Sequence, residues 1–458
     1  MHLSEIVLSN LKTDGYLNMN FTKILEKAIK LILFLFAILG EQSGQAQQWT
    51  LTSCVNQAIN NHPDIKSAQL DLGISMARVD QAKSNFYPEL AASVFQSGNF
   101  GRSIDRFTNA YIDQFYNTTY AGVRLNVPVF TSFRNSNLLA SAKSTKAASD
   151  SGIEKNKNIL TLTVITYYLN ALSQAENIRN AVNQWKNDSI QYQRLLIRKE
   201  AGLTTKTEEI QLLNQMKTDE IGVQDAQLNY ETAIIDLAQT MNTSLPSSIR
   251  LASLDPDENY FFDIQNTITA SLPQINEIKM GIQSLHQTIK ATKALSYPSL
   301  ALSADYGTFY ASSNPERTFS QQLNDTRNGS ISLGLNIPIL RGLQNRPQVQ
   351  ELKVRQIALQ NTMDKTQLGI RQEIDMANTR FKTYKKRYEN ARYLLDLAKE
   401  NILLITEQLT AGTVTMVDFL LAQNNMEKAA AALTNSKYQL ILQEKILKFY
   451  SQRKYDLD

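Results

Sequence analysis

Phe86-Tyr87-Pro88-Glu89-Leu90 and Ser296-Tyr297-Pro298-Ser299-Leu300 stand 210 positions apart. The same interval separates Leu125-Asn126-Val127-Pro128 from Leu335-Asn336-Ile337-Pro338, and Ala201-Gly202 from Ala411-Gly412. Pro63 returns as Pro273 at that interval too. No insertion interrupts the correspondence, so the chain is two copies of one large unit.

Each copy changes period around its Tyr-Pro pair. Upstream, residues 50–86 carry apolar residues near helical spacing (Val55, Ala58, Ile65, Ala68, Leu72, Val79), with a break or kink at His62-Pro63. Downstream of Pro88 a period of two takes over. Leu90, Ala92 and Val94 form one face, and Ala121, Val123, Leu125 and Val127 form the face of a second strand. Leu300, Leu302 and Ala304, then Ile331, Leu333, Leu335 and Ile337, repeat this parity. Strands are expected at about 89–100, 119–129, 299–310 and 329–339, with long polar loops at 101–118 and 308–329. Aromatics gather there: Phe100, Phe107, Tyr111, Phe115, Tyr116, Tyr120, Tyr306, Phe309, Tyr310 and Phe319. They suit either ordinary loop packing or an interfacial girdle on a membrane barrel.

A helical pattern then returns and persists. The 68 residues from Phe133 to Glu200 hold no proline, enough for about 100 Å of helix at ~1.5 Å per residue. Pro347 to Thr410 gives 64 residues, or about 96 Å. Gly202 and Gly412 suit the left-handed turns that end these arms, and returning helices follow over Thr205–Met241 and Thr415–Gln452. Gly152 and Gly369 are expected to mark bends or breaks within the arms. The fold class is mainly α with a small β part, a duplicated helix–strand–strand–long helical hairpin unit.

Residues 1–46 read as an export signal, with translation possibly starting at Met19. Lys23, Lys27 and Lys30 precede the apolar run Leu31–Leu39, and Gly44-Gln45-Ala46 supplies small residues for cleavage. The first repeat spans 47–241, an acidic, proline-containing surface crossover 242–272, the second repeat 273–452, and a tail 453–458. The single cysteine, Cys54, permits no internal disulfide. Leu51-Thr52-Ser53-Cys54 superficially resembles a lipidation box but lies too far from the apolar run, so Cys54 reads as a helix residue.

The balance of 47 basic and 43 acidic residues implies no nucleic-acid partner. His2, His62 and His286 lie far apart, and no metal-ligand spacing, nucleophile motif, cofactor motif or phosphate loop appears. His62 reads as a surface helix residue. No enzyme is expected.

Four strands with one apolar face cannot close a barrel, since small barrels need about eight. Three chains would supply twelve. Arms of this length also need neighbours along their whole extent. A barrel on a ring of long helices makes a hollow cylinder, with strands in lipid and helices in water. An exported coiled-coil scaffold without a pore is the competing reading, and a soluble exported enzyme a further one.

The chain resembles the TolC family of outer-membrane efflux proteins. Tyr87-Pro88 with Leu90, Asn126-Val127-Pro128-Val129-Phe130, and Ala411-Gly412-Thr413 followed by Val417-Asp418 carry the likeness, in doubled order across the mature sequence. The resemblance implies a homotrimer with a shared twelve-stranded barrel in the outer membrane of a Gram-negative bacterium and a long periplasmic α-helical tunnel. It implies a passive exit duct, opened by a periplasmic adaptor and powered by an inner-membrane RND or ABC transporter. It also places a pore constriction at the hairpin tips, at Asp418, Glu208 and the preceding Thr207. Adaptor contact would fall on Gly202, Leu203, Thr204, Gly412, Thr413 and Val414. Glu208 and Asp418 each lie six residues after a tip glycine, and they suit equally a helix N-terminus that favours acids. Leu421 and Val414 stand where some family members carry charge, which argues against a double acidic ring or a salt-bridge lock.

Overall fold

A computed structural model describes residues 48–105, 109–202, 204–244, 249–257, 272–339 and 344–452. The expected signal and tail, Phe107, Leu203 and much of the crossover lie outside them. The chain divides into two compact units. In the smaller, β1 (Gln48–Trp49) pairs in parallel with β6 (Arg250–Leu251), and the Ala252 amide donates to the Trp49 carbonyl at 3.0 Å. This ladder occupies part of the expected crossover. Two residues offer no period from which to read a strand.

The larger unit contains the repeats. The expected first helix is two, α1 (Leu51–Asn61) and α2 (Pro63–Ser84). Pro63 opens α2, where its missing amide costs nothing. His62 is the N-cap rather than a plain surface helix residue, its Nδ1 accepting from the Asp64 amide at 3.2 Å. Cys54 is buried in α1, and burial pushes its thiol up to about 12, which suppresses the reactive thiolate.

The sheet contains β2 (Glu89–Asn99), β5 (Tyr116–Phe130), β7 (Ser299–Ala311) and β8 (Asn328–Asn336). Their order is β2-β5-β7-β8, antiparallel throughout, so β5–β7 joins the two copies. Leu90, Leu125, Ala304 and Ile331 stand in one cross-strand row, with Leu90 72% and Ile331 80% exposed. The row beside it, on the opposite face, is Ala91, Arg124, Asp305 and Ser330; the Arg124 Nε donates to Asp305 at 2.5 Å. Pro128 fits within β5 because the ladder slips between Pro128 and Phe130. Observed β5 extends beyond the expected strand, and β8 ends at Asn336 instead of near 339.

The loops are not plain coil. The first holds a hairpin of β3 (Arg102–Ile104) and β4 (Tyr111–Asp113). Phe100 stacks on Phe115 at 5.7 Å and Arg102 lies over the Tyr111 ring at 4.6 Å. Tyr310 in β7 meets Phe319, where a short helix begins in the second loop, edge-on at 4.9 Å.

The hairpin helices are α3 (Arg134–Glu200, 67 residues) with α4 (Lys206–Thr240), and α7 (Asn345–Thr410, 66 residues) with α8 (Met416–Gln452). The second copy also contains α5 (Pro273–Ala294), the counterpart of α2, and, in its loop, α6 (Phe319–Asp325). Helix α3 starts after Phe133, which holds a left-handed φ of 62°. Neither glycine breaks its arm: α3 runs through Gly152 and α7 through Gly369. Glu277 of α5 packs over Gly152, its Oε1 3.4 Å from where a Cβ would stand, an ordinary contact. Ile370, Ile374, Ala377 and Phe381 of α7 alternate steps of four and three, and they bury against Leu440, Leu447 and Phe449 of α8.

Candidate functional site: the hairpin tips and the seam behind them

Both tips are built from one local code. Gly202 (φ 73°) and Gly412 (φ 74°) turn the chain left-handed after α3 and α7. At the second tip the Thr413 amide donates to the Gln408 carbonyl at 3.0 Å and the Gly412 amide to Leu409 at 3.2 Å, closing a Schellman turn. The Gly202 amide makes the matching bond to Lys199 at 2.9 Å.

Three residues on, Thr205 and Thr415 cap the returning helices. The Thr205 amide donates to Glu208 Oε2 at 2.9 Å, and the Glu208 amide donates back to Thr205 Oγ1 at 3.2 Å. The Thr415 amide donates to Asp418 Oδ2 at 2.9 Å, and the Asp418 amide to Thr415 Oγ1 at 3.3 Å. These are two capping boxes. The sequence pattern Thr-x-x-acid, present twice, is the signal that would have revealed them. The Asp418 carboxyl is held below its ordinary value, first by the Thr415 hydroxyl and then by its amide. Asp418, Thr207, Gly202, Gly412 and Thr413 are exposed, while Glu208, Thr204 and Val414 are half-buried.

The tips differ one step further in. At the first, Glu209 Oε2 accepts from Lys199 at 2.8 Å and Lys206 at 2.9 Å, and these ammoniums, Lys199 foremost, lower its pKa. The repeat-equivalents of Lys199, Lys206 and Glu209 are Leu409, Met416 and Phe419. Met416 and Phe419 bury against Leu195 of α3 and Leu212 of α4, with Leu409 packed alongside. The two hairpins therefore meet at an apolar plug.

Seven residues further along α3 and α4, two turns from the plug, the seam becomes polar. Asp188 and Asp219 occupy these positions, and sequence reasoning passed over both. Asp188 Oδ1 accepts from Gln184 Nε2 at 3.3 Å and from Gln423 Nε2 of α8; Asp219 Oδ1 accepts from Gln215 Nε2 at 2.9 Å. Heptad-spaced acids at core positions (Asp188 before Leu195, Asp219 after Leu212) were the available signal. Among the described residues no group of His, Cys, Asp and Glu could hold a metal ion, and no helix is long and apolar enough to cross a membrane.

Comparison with known proteins places this architecture. A sequence model described as "Outer membrane efflux protein" matches residues 54–243 and 266–450. The chain is 23% identical over 402 residues to the outer membrane efflux protein BepC of Brucella suis biovar 1 (strain 1330), covering 86% of this chain and 83% of BepC. It is 21% identical over 421 residues to the outer membrane protein TolC of Escherichia coli (strain K12), covering 88% and 82%. The crystal structure of the outer membrane protein VceC from Vibrio cholerae superposes with a TM-score of 0.74 at 15% identity, covering 87% of this chain and 95% of that one. At that identity the likeness concerns the fold.

Proposed function

Since the chain belongs to the outer membrane efflux protein family and is an efflux channel of the outer membrane, we propose that three copies share one twelve-stranded barrel and one helical tunnel. The carrying observation is the four-stranded sheet. Its outer strands β2 and β8 each have one ladder partner among the described residues, and one of its faces is apolar and exposed. Four strands are too few to close, and in lipid an open edge leaves backbone groups unpaired. Neighbouring copies remove both problems. The apolar face then meets outer-membrane lipid, the aromatics near the strand ends serve as an interfacial girdle, and the face bearing Arg124 and Asp305 lines the lumen.

The long hairpins extend into the periplasm. Their tips, with Gly202, Leu203, Thr204, Gly412, Thr413 and Val414, receive a periplasmic adaptor, which shifts the closed–open balance by binding the open state better. An inner-membrane RND or ABC transporter supplies energy, and the chain is a passive duct without catalysis of its own. Repeated threefold about one axis, Asp418 and Glu208, with Thr207 beside it, form carboxylate rings that draw cations. The capping boxes fix both acids in direction, and the one at Asp418 also favours its ionised form, so capping and a pore role are compatible.

Planar-bilayer conductance of the purified protein tests this reading. Wild type is expected to form cation-preferring pores, and Asp418→Ala pores whose preference is weaker. Pores with unchanged ion preference would reduce Asp418 to a cap. Absence of any pore, with the protein released from membranes by carbonate, would favour a scaffold.

A further inference from the structure

The polar layer behind the plug is short of donors. Asp188 is 0% and Gln423 3% exposed, and Asp219 lies beside them. Asp188 Oδ2, Asp219 Oδ2, Gln423 Oε1 and Glu427 Oε1 are all buried without a hydrogen-bond partner. A buried, unpartnered carboxylate oxygen is costly. Here three such oxygens and one amide oxygen come from three helices, α3, α4 and α8, where the first hairpin meets the second. The side chains of Asp188 and Asp219 lie within hydrogen-bonding reach of each other. Two carboxylates at that distance cannot satisfy one another unless one of them carries a proton.

We propose that this layer is a proton-binding site: Asp188 and Asp219 share one proton, and that proton keeps Asp188 bonded to Gln423 across the seam between the two hairpins. A protonated carboxyl donates from one Oδ2 to the other and relieves both. The pair then carries one charge instead of two beside Glu427. The amides of Gln184, Gln215 and Gln423 satisfy the other oxygen of each aspartate, Oδ1. The charged groups that act on Asp188 are Asp219 and Glu427; those on Glu427 are Asp219 and Lys428. Lys428 is thus the one cation acting on these two carboxyls among the described residues. A metal in place of the proton is not supported by the arrangement of the side chains.

Burial, foremost, pushes the Asp188 carboxyl up to about 8, with Asp219 adding to it, and burial likewise raises Glu427. A carboxyl raised in the folded state stabilises fully below its ordinary value. That stability is lost as pH climbs to and through the raised value. The seam is therefore tight in neutral and acidic surroundings and loosens in alkali. Its consequence for flow rests on the reading of the tips as the tunnel's closing end, but the site itself does not.

The test uses the full chain in detergent, titrated from about pH 4 to about pH 10, which covers the window between the ordinary carboxyl value and the raised one. Infrared spectroscopy should show a protonated-carboxyl C=O absorption at neutral pH that disappears as pH passes about 8. Asp188→Asn should lack it. The wild-type unfolding temperature should fall from about pH 4 to about pH 8, and that of Asp188→Asn should fall less steeply over the same window. Should that variant fail to fold, Asp219→Asn and the wild-type infrared titration make the same test. Absence of the absorption in wild type, or a variant with an unchanged pH profile, overturns the proposal. Stabilisation by added calcium or magnesium that requires Asp188 also overturns it, in favour of a cation site. None of these readouts requires a pore, so failure here leaves the channel reading standing.

Discussion

The two hairpin tips share a backbone and differ in what anchors it. Each has a left-handed glycine, a capping threonine three residues on and an acid three further. Behind that common code the first tip closes with Lys199, Glu209 and Lys206, and the second with Leu409, Met416 and Phe419. Duplication preserved the turn chemistry, which is local, and let the anchoring diverge, because that depends on neighbours. The ion cluster is a partly solvated feature of the first hairpin alone. The apolar plug spans both hairpins. The second tip is thus held to its neighbour by burial, while the charges that pin the first are screened by salt.

Breaking the plug should have the largest effect. Phe419 is 4% exposed, and Phe419→Ala should cost about 3–5 kcal/mol, seen as an earlier denaturant midpoint. Its counterpart Glu209→Gln should cost least, and its cost should shrink further as salt is raised. A salt-insensitive Glu209→Gln as damaging as Phe419→Ala would refute the contrast.

Between these lies the shared cap. Thr415→Ala and Thr205→Ala should each lose about 1 kcal/mol, and by similar amounts if the code is common to both tips. The depressed Asp418 carboxyl adds a pH signature. A group lowered in the folded state stabilises above its ordinary value, 3.8, and that contribution fades as pH falls through the lowered one. Thermal unfolding of wild type should therefore lose the cap in acid, and Thr415→Ala should lack that component.

Elements whose signal repeats over many residues were legible before the structure. The strands at Leu90, Val123, Leu302 and Leu333 declared themselves by parity, and the long arms by freedom from proline. Features resting on few residues were not. The Gln48–Trp49 ladder has no period, and the left-handed Phe133 has no glycine to announce it. Gly152 suggested a bend or break, yet α3 continues through it, because a helix held along its length by packing tolerates a single glycine. The tip acids were found by position, but their capping role came from Thr205 and Thr415, one turn upstream. Asp188 and Asp219 were invisible for a related reason. A buried acid looks like a solvated one until the helix covering it, here α8, is in place.

The account stands on a four-stranded sheet completed by copies of itself. The mass of the detergent-solubilised, cross-linked assembly measures that directly, together with its engineered-disulfide pattern between β2 and β8 of neighbouring subunits. Buried Cys54 leaves little background. A trimer with β2 linked to β8 of the next copy is expected. A monomer, or linkage confined within one chain, would contradict it.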